Sequence, residues 1–85
     1  MQTQDLTLSV IIPVYNEART VAALIERVRA IPLRTEIVCV DDASTDGSRD
    51  VLERLKEQGR IDRLVFQDRN RGKGAAVRRG IQEAT

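Results

Sequence analysis

The sequence predicts an α/β fold in which helices cover both faces of a parallel sheet, and three observations support it. Three short apolar runs rich in β-branched residues recur along the chain. A polar segment follows each run, and apolar residues at helical spacing follow each polar segment. Such an alternation, with short right-handed connections, gives parallel strands in the order β-α-β-α-β-α. We therefore expect a three-layer α/β/α arrangement, half of a doubly wound domain.

The first strand is predicted at residues 8–14, a nearly continuous apolar run typical of a parallel strand buried on both faces. The first helix is predicted at residues 18–31. Its apolar positions follow the i, i+3, i+4, i+7 spacing of one helical face: Val21, Leu24, Ile25 and Val28. Asn16 is placed to cap this helix, and Pro32 is placed to end it.

The second and third units repeat this pattern. Residues 36–40 predict a buried strand, and residues 48–58 predict a helix that meets Gly59 at its C-terminal end. Residues 64–67 predict the third strand, followed by a glycine-containing turn and a helix. The apolar face of this last helix is expected to contain Val77, Gly80, Ile81 and Ala84.

Composition excludes several classes of function. Fourteen basic and thirteen acidic residues leave a net charge of +1, so no overall field favours nucleic acid or an anionic membrane. The single cysteine, Cys39, lies in an apolar run, and the chain has no histidine. Disulfide frameworks and Cys/His zinc sites are therefore not expected. No apolar stretch approaches the ~18 residues of a membrane span, and residues 1–5 lack a basic signal region. We expect a cytoplasmic segment.

The candidate site is predicted at the carboxyl ends of the strands, where ligands bind in such sheets. Tyr15 and Glu17 follow the first strand, Asp41 and Asp42 follow the second, and residues 69–74 follow the third. The last segment contains Gly72, Lys73 and Gly74. Carboxylates, an aromatic ring and a glycine-flanked lysine are thus expected at one edge of the sheet.

This set of side chains suits a nucleotide diphosphate. A carboxylate can accept hydrogen bonds from base N–H groups, and Tyr15 can pack against the base or ribose. Lys73 and the amides of the two flanking glycines can face phosphate or a base carbonyl at a helix start. No Gly-x-Gly-x-x-Gly follows the first strand and no P-loop motif is present, so dinucleotide oxidoreductases and P-loop NTPases are not favoured.

Three blocks of sequence carry a family resemblance: SVIIPVYNE at residues 9–17, IVCVDDASTDGS at residues 37–48 and NRGKGAAVRRG at residues 70–80. In this order and spacing they resemble family 2 inverting glycosyltransferases, most closely the polyprenyl- or dolichyl-phosphate mannose and glucose synthases. The resemblance implies a GT-A fold whose sheet begins in the order 3-2-1. Residues 1–85 would then be a single, incomplete nucleotide-sugar-binding domain, the N-terminal half of a Rossmann-like domain.

The resemblance also implies roles for particular residues. Pro13, Tyr15 and Glu17 match positions that line the nucleotide pocket, Asp42 matches the carboxylate that hydrogen-bonds the base, and Lys73 lies in the block that completes the pocket. Asp41, Gly72 and Gly74 are weaker candidates, and Asp41 is expected to serve the loop more than the ligand. The donor implied is a UDP- or GDP-sugar, and the acceptor implied is a polyprenyl phosphate at the cytoplasmic face of the membrane.

One element of the family pattern is missing. The family binds a divalent metal, Mg²⁺ or Mn²⁺, through an Asp-x-Asp motif, and no Asp-x-Asp occurs in the chain. The general base is expected further along still. We therefore expect no catalytic or metal-binding residue in this segment, and no turnover by these residues alone.

Other interpretations stay open at this stage. Asp41, Asp42, Ser44 and Asp46 could form Asx turns and cap the second helix. Glu17 could be favoured only by the positive end of the first helix, and Tyr15 could pack against that helix as a hydrophobic staple. A nucleotide-binding module without chemistry and a receiver-like signalling domain are the rival functions. The first strand would form an open apolar edge, which predicts self-association.

Overall fold

The computed structural model describes residues 7–84 and confirms the predicted order of elements. The strands are β1 (Thr7–Val14), β2 (Arg34–Asp41) and β3 (Arg63–Phe66), and the helices are α1 (Val21–Arg29), α2 (Ser48–Glu57) and α3 (Lys73–Glu83). The predicted domain range also includes residues 1–6 and 85, which lie outside the described part. None of the described helices is long and apolar enough to cross a membrane.

The sheet is parallel, with β2 between β1 and β3. The order 3-2-1 implied by the resemblance is therefore confirmed. A receiver-like sheet would instead have β1 in the middle. The register places Val14 beside Asp41 and Asp41 beside Phe66, so the three strands end at the same level. The loops that follow the three strands therefore meet at one edge of the sheet.

Alternation along the strands divides the core into two layers. One face of the sheet packs against α1 and α2, through Ile12, Val14, Ile37 and Cys39 from the strands and Ile25, Leu52 and Leu55 from the helices. Complete burial raises the pKa of the Cys39 thiol to about 12, because the thiolate is desolvated there. Cys39 is thus a core residue, as predicted.

The other face of the sheet packs against α3, through Val38 and Val40 of β2 and Ala76 of α3. Gly80 also faces the sheet and is buried. The prediction that Ile81 faces inward is wrong, since its side chain is 60% exposed. The close approach of α3 to the sheet at Gly80 fixes the rotation of the helix and turns Ile81 towards solvent. With helices on both faces, the predicted three-layer arrangement is confirmed.

Candidate functional site

The loops that follow the three strands enclose one cavity of about 260 Å³ at the carboxyl edge of the sheet. Each loop contributes residues to its wall. The lining residues are Pro13, Val14, Tyr15 and Glu17 from the first unit, Asp42 from the second, and Asn70, Gly72, Lys73 and Ala76 from the third. Residues far apart in sequence therefore form a single candidate site.

Most of the residues singled out in the sequence lie in this cavity. Pro13, Tyr15, Glu17, Asp42, Gly72 and Lys73 line it, whereas Asp41 and Gly74 do not. Sequence reasoning missed Val14, Asn70 and Ala76. Asn70 lies in the third sequence block, close to the glycine-containing turn, and this position could have indicated that it lines the site. Ala76 follows Gly72 by one helical turn, which places it over the same opening.

Asn16 joins the β1–α1 loop (residues 15–20) to the β2–α2 loop (residues 42–47). Its backbone amide donates to Ser44 Oγ at 2.9 Å, and its side-chain Oδ1 accepts from the backbone amide of Thr45 at 2.8 Å. The predicted capping role is wrong: the residue before α1 is Thr20, which makes no side-chain cap, and Asn16 adopts a left-handed φ of 53°. Asparagine tolerates that conformation better than most residues. Asn16 therefore shapes the site and does not cap α1.

Asp46 and Ser48 form a second connection between the same two loops. The Glu17 amide donates to Ser48 Oγ at 2.9 Å, and the Ala18 amide donates to Asp46 Oδ2 at 3.2 Å. Ser48 Oγ in turn donates to Asp46 Oδ1 at 2.5 Å. This hydrogen bond, together with those from the backbone, lowers the pKa of Asp46 below its ordinary value of 3.8. Both loops are thus fixed relative to one another before any ligand binds.

The two adjacent aspartates point to opposite sides of the sheet. Asp41, the last residue of β2, is fully buried. Its Oδ2 accepts from the Ser44 amide at 3.0 Å and lies 3.8 Å from Arg49 Nε, while its Oδ1 has no partner among the described residues. Asp41 therefore stabilises the β2–α2 loop, on the α2 side of the sheet.

Asp42 instead reaches the β3–α3 loop (residues 67–72) and is 3% exposed. Its Oδ1 accepts from the Arg71 amide at 2.8 Å, and its Oδ2 accepts from the Gly72 amide at 3.0 Å. Asn70 Oδ1 also accepts from the Gly72 amide, at 3.1 Å. The turn at Gly72 has a φ of 90°, a conformation that favours glycine. One carboxylate thus fixes the start of α3 against the end of β2.

The start of α3 presents positive charge to the cavity. Gly72 precedes the helix without a side-chain cap, so the first-turn amides remain available. Lys73 lines the cavity at the same point, and no ion pair to its side chain is found among residues 7–84. A carbonyl oxygen would be favoured here.

Carboxylates in the described part of the chain do not form a metal site. No group of three or more Asp, Glu or Cys side chains lies close enough to hold an ion among residues 7–84. Asp41 faces the α2 side, and both oxygens of Asp42 face amides. A divalent cation needs several converging oxygen ligands, so these residues alone do not fit one.

Comparison with known proteins decides the family. The sequence model described as glycosyl transferase family 2 matches residues 9–85, nearly the whole chain. The chain belongs to glycosyl transferase family 2. The family resemblance carried by the three sequence blocks is confirmed.

Relatives of this family 2 chain include two named for polyprenol-linked sugars. Dodecaprenyl-phosphate galacturonate synthase of Rhizobium johnstonii is 38% identical over 95% of this chain and 25% of its own length. Dolichol-phosphate mannosyltransferase of Saccharomyces cerevisiae is 36% identical over 94% of this chain and 32% of its own length. The family 2 chain thus spans about a quarter to a third of the length of these relatives.

Solved structures confirm the fold of this family 2 chain. The mannosyltransferase PcManGT from Pyrobaculum calidifontis, solved with GDP-Man and Mn²⁺, has a TM-score of 0.83 and 31% identity over 92% of this chain and 24% of its own. TarS of S. aureus, residues 1–349, has a TM-score of 0.80 over 94% of this chain and 25% of its own. At 24% identity, TarS supports the fold alone. The predicted GT-A type of α/β fold is confirmed.

Proposed function

We propose that the cavity binds the base of a UDP- or GDP-sugar, and that the whole protein transfers the sugar to an acceptor. The observation that carries the proposal is the meeting of Tyr15, Glu17, Asp42 and Lys73 around one opening. A fold that placed these residues on different sides of the molecule would have contradicted the proposed nucleotide site. Membership of family 2 and the names of the relatives support the same class of reaction.

Charge in the cavity favours the base over the diphosphate. Two acidic residues, Glu17 and Asp42, and one basic residue, Lys73, line the wall. The sum is one negative charge, which disfavours a diphosphate inside the cavity itself. A base is uncharged, and its edge carries both N–H donors and carbonyl acceptors, so carboxylates and a lysine can both pair with it.

The volume of the cavity also indicates that it holds the base and not the rest of the nucleotide sugar. The cavity of about 260 Å³ is slightly smaller than the roughly 300–1,000 Å³ of typical small-molecule sites. A base fits, whereas ribose, diphosphate and sugar extend outside. Tyr15 is 48% exposed at the opening, and Pro13, Val14 and Ala76 supply apolar walls. An aromatic ring at the opening is suited to pack against the base or ribose.

We propose a polyprenyl phosphate as acceptor, a cytoplasmic location at the membrane surface, inverting transfer, and a divalent ion, Mg²⁺ or Mn²⁺, in the whole protein. Two relatives are named for polyprenol-linked sugars, and the neighbouring mannosyltransferase was solved with Mn²⁺. Residues 7–84 supply donor recognition in this scheme. Their carboxylates form no group that could hold a metal ion, so we propose that residues 7–84 catalyse no transfer alone.

Calorimetric titration of the 85-residue chain with UDP, GDP and CDP tests the proposal. Lys73→Ala is expected to weaken binding about ten- to a hundredfold, since a hydrogen bond to a charged group contributes about 1.5–3 kcal/mol. Lys56→Ala removes the same charge from the exposed surface of α2 and is the matched control. Equal affinities for Lys73→Ala and Lys56→Ala, or no binding of any of the three nucleotides, would contradict the proposal.

We further propose that the 85-residue chain self-associates through β1. This strand pairs only with β2 among the described residues, so its other edge has unpaired backbone groups. Leu8 of β1 is 47% exposed, and the exposed Leu24 of α1 lines a cavity together with Ile12 and Val14 of β1. An open apolar edge is a template for pairing with a second strand.

A further inference from the structure

We infer that a groove between the end of β3 and α3 is a second binding site, which takes a phosphate group. This basic groove has a volume of about 520 Å³ and shares no lining residue with the cavity proposed to bind the base. The inference goes beyond the proposed function and does not depend on it. The polar residues that line the basic groove are Gln67, Asp68, Arg71, Arg78, Arg79 and Gln82.

The charge of the basic groove is opposite in sign to that of the base cavity. Three arginines and one aspartate line the groove, so its lining residues carry a net charge of +2. Two acidic residues and one basic residue line the base cavity. Arginine suits a phosphate group because its planar guanidinium can donate two parallel hydrogen bonds to two phosphate oxygens. An anion is therefore favoured in the groove and disfavoured in the cavity.

Helical spacing places the lining residues of α3 on one face. Ala75, Arg78, Arg79 and Gln82 follow the i, i+3, i+4, i+7 pattern. The end of β3 forms the opposite wall of the groove. The arginines therefore line a concave surface, in which several donors can reach the same ligand.

Arg78 supplies a charge that no carboxylate of the described chain neutralises. No ion pair to its side chain is found among residues 7–84. Its Nη1 lies 3.6 Å from the place that a β-carbon on Gly74 would occupy. The guanidinium group therefore lies beside the first turn of α3, where it is available to an anion.

The other two arginines differ in how firmly they are paired. Arg79 Nε donates to Glu83 Oε1 at 3.1 Å, one helical turn away. Arg71 Nη2 lies 3.5 Å from Asp68 Oδ1, and the side chain of that aspartate is 82% exposed. Such an exposed ion pair contributes little stability, so a phosphate can replace Asp68 as the partner of Arg71. Arg71 and Arg78 are thus the main candidates for phosphate contacts.

Gln67 provides an independent indication of a ligand. It is only 8% exposed and lines the groove, yet its side-chain amide makes no hydrogen bond to any residue of the described range 7–84. Most buried polar side chains have a hydrogen-bond partner. The amide of Gln67 can donate to a phosphate oxygen, which would satisfy it.

Titration of the 85-residue chain with inorganic phosphate tests the site, followed through the Nε–Hε NMR signals of the arginines. We expect the signals of Arg71 and Arg78 to shift and saturate. The signal of Arg27, which is exposed on α1 at the other face of the sheet, should not shift. Sodium chloride at the same ionic strength is the control for screening. Equal shifts of all three signals would contradict a site in the groove.

Arg78→Gln tests the same site by affinity. It is expected to weaken phosphate binding about ten- to a hundredfold, because hydrogen bonds to a charged group are lost. Arg27→Gln removes the same charge from α1 and is the matched control. Equal phosphate affinities of the two variants would overturn the inference.

Vesicles identify the source of the phosphate group. If the ligand is a lipid headgroup, vesicles of phosphatidylglycerol should bind the chain, and Arg78→Gln should weaken this binding about tenfold or more while Arg27→Gln should not. Vesicles of phosphatidylcholine, which is neutral overall, are the control. Binding of inorganic phosphate without binding of either vesicle would assign the groove to a soluble phosphate compound. Binding of neither inorganic phosphate nor phosphatidylglycerol would overturn the inference.

Titration of Arg78→Gln with UDP, GDP and CDP separates the basic groove from the nucleotide site. We expect the affinities of the wild-type chain, because Arg78 does not line the base cavity. A weaker affinity would show that the groove is part of the nucleotide site and would overturn the inference of a second site. A wild-type chain that binds phosphate at Arg78 but no nucleotide would contradict the proposed function and leave this inference standing.

Discussion

Gly80 of α3 lies directly against Ile11 of β1, so that a β-carbon built on Gly80 would overlap the Cγ2 atom of Ile11. The overpacking in Gly80→Ala is therefore expected to cost about 1–3 kcal/mol. Alanine's higher helix propensity offsets about 1 kcal/mol of this cost, so the free energy of unfolding is expected to fall by up to about 2 kcal/mol. Urea unfolding followed by circular dichroism measures the change.

Gly74→Ala in the same helix is the matched control for this prediction. Its β-carbon would meet only Arg78 Nη1 at 3.6 Å, an ordinary contact. We expect a change between zero and about 1 kcal/mol of added stability, from propensity alone. Equal destabilisation by the two variants would show that close packing at Gly80 is not the cause.

Ala43 in the β2–α2 loop has a φ of 60°, a left-handed conformation that costs a non-glycine residue about 1–2 kcal/mol. Ala43→Gly removes this strain and raises the entropy of the unfolded chain, which costs about 0.5–1 kcal/mol. A net stabilisation of up to about 1 kcal/mol is expected in thermal unfolding. Ala23→Gly, on the exposed face of α1, should instead destabilise by about 1 kcal/mol. Destabilisation by both variants would contradict the prediction.

Asp46 makes the connection between the first two loops sensitive to acid. Its pKa is lowered in the folded protein, chiefly by the Ser48 hydroxyl, so its contribution to stability is present above the ordinary value of 3.8. That contribution is lost as the pH falls from 3.8 through the lower folded value. Wild type should be more stable than Asp46→Asn at pH 6, and the difference should shrink below pH 3.8.

Ser48→Ala is the second variant for this experiment, because it removes the largest cause of the shift in the pKa of Asp46. In that background the loss of stability that Asp46→Asn causes at neutral pH should be smaller than in the wild type. A stability difference between wild type and Asp46→Asn that stays constant down to the acid transition would refute the prediction.

Leu8→Lys on the open edge of β1 is expected to reduce the self-association proposed above, because an edge lysine opposes strand pairing. Light scattering across a concentration series measures the average mass. Ile81→Lys changes another exposed apolar residue, on α3, and should leave association unchanged. A monomer at every concentration for the wild type would refute the proposal, and equal effects of the two lysines would show that β1 is not the contact.

Sequence patterns predicted the elements of this fold well because the strands are buried on both faces and the helices are amphipathic. Apolar runs and helical spacing report burial directly, and strand order followed from the family resemblance. The ends of elements were less predictable. Residues 18–20 precede α1, and the amide of Ala18 donates to Asp46, a contact across loops that no local pattern encodes.

The site was predicted as a set of residues but not as a set of contacts. The convergence of Tyr15, Glu17, Asp42 and Lys73 follows from parallel strands ending at one level, which topology alone provides. The partners of Asp42 could not be read from the sequence, because its two hydrogen bonds reach backbone amides 29 and 30 residues away. Amides occur at every residue except proline, so they leave no signature in a sequence.

The connections among the three loops run mainly from backbone amides to a few short side chains. The donors include the amides of Glu17, Ala18, Arg71 and Gly72, and the acceptors are Ser48, Asp46 and Asp42. Glu17 and Arg71 can therefore be replaced without removing the hydrogen bonds that their own amides make. Substitutions at such positions could change the ligand preference of related proteins while the hydrogen bonds that hold the loops around the opening are kept.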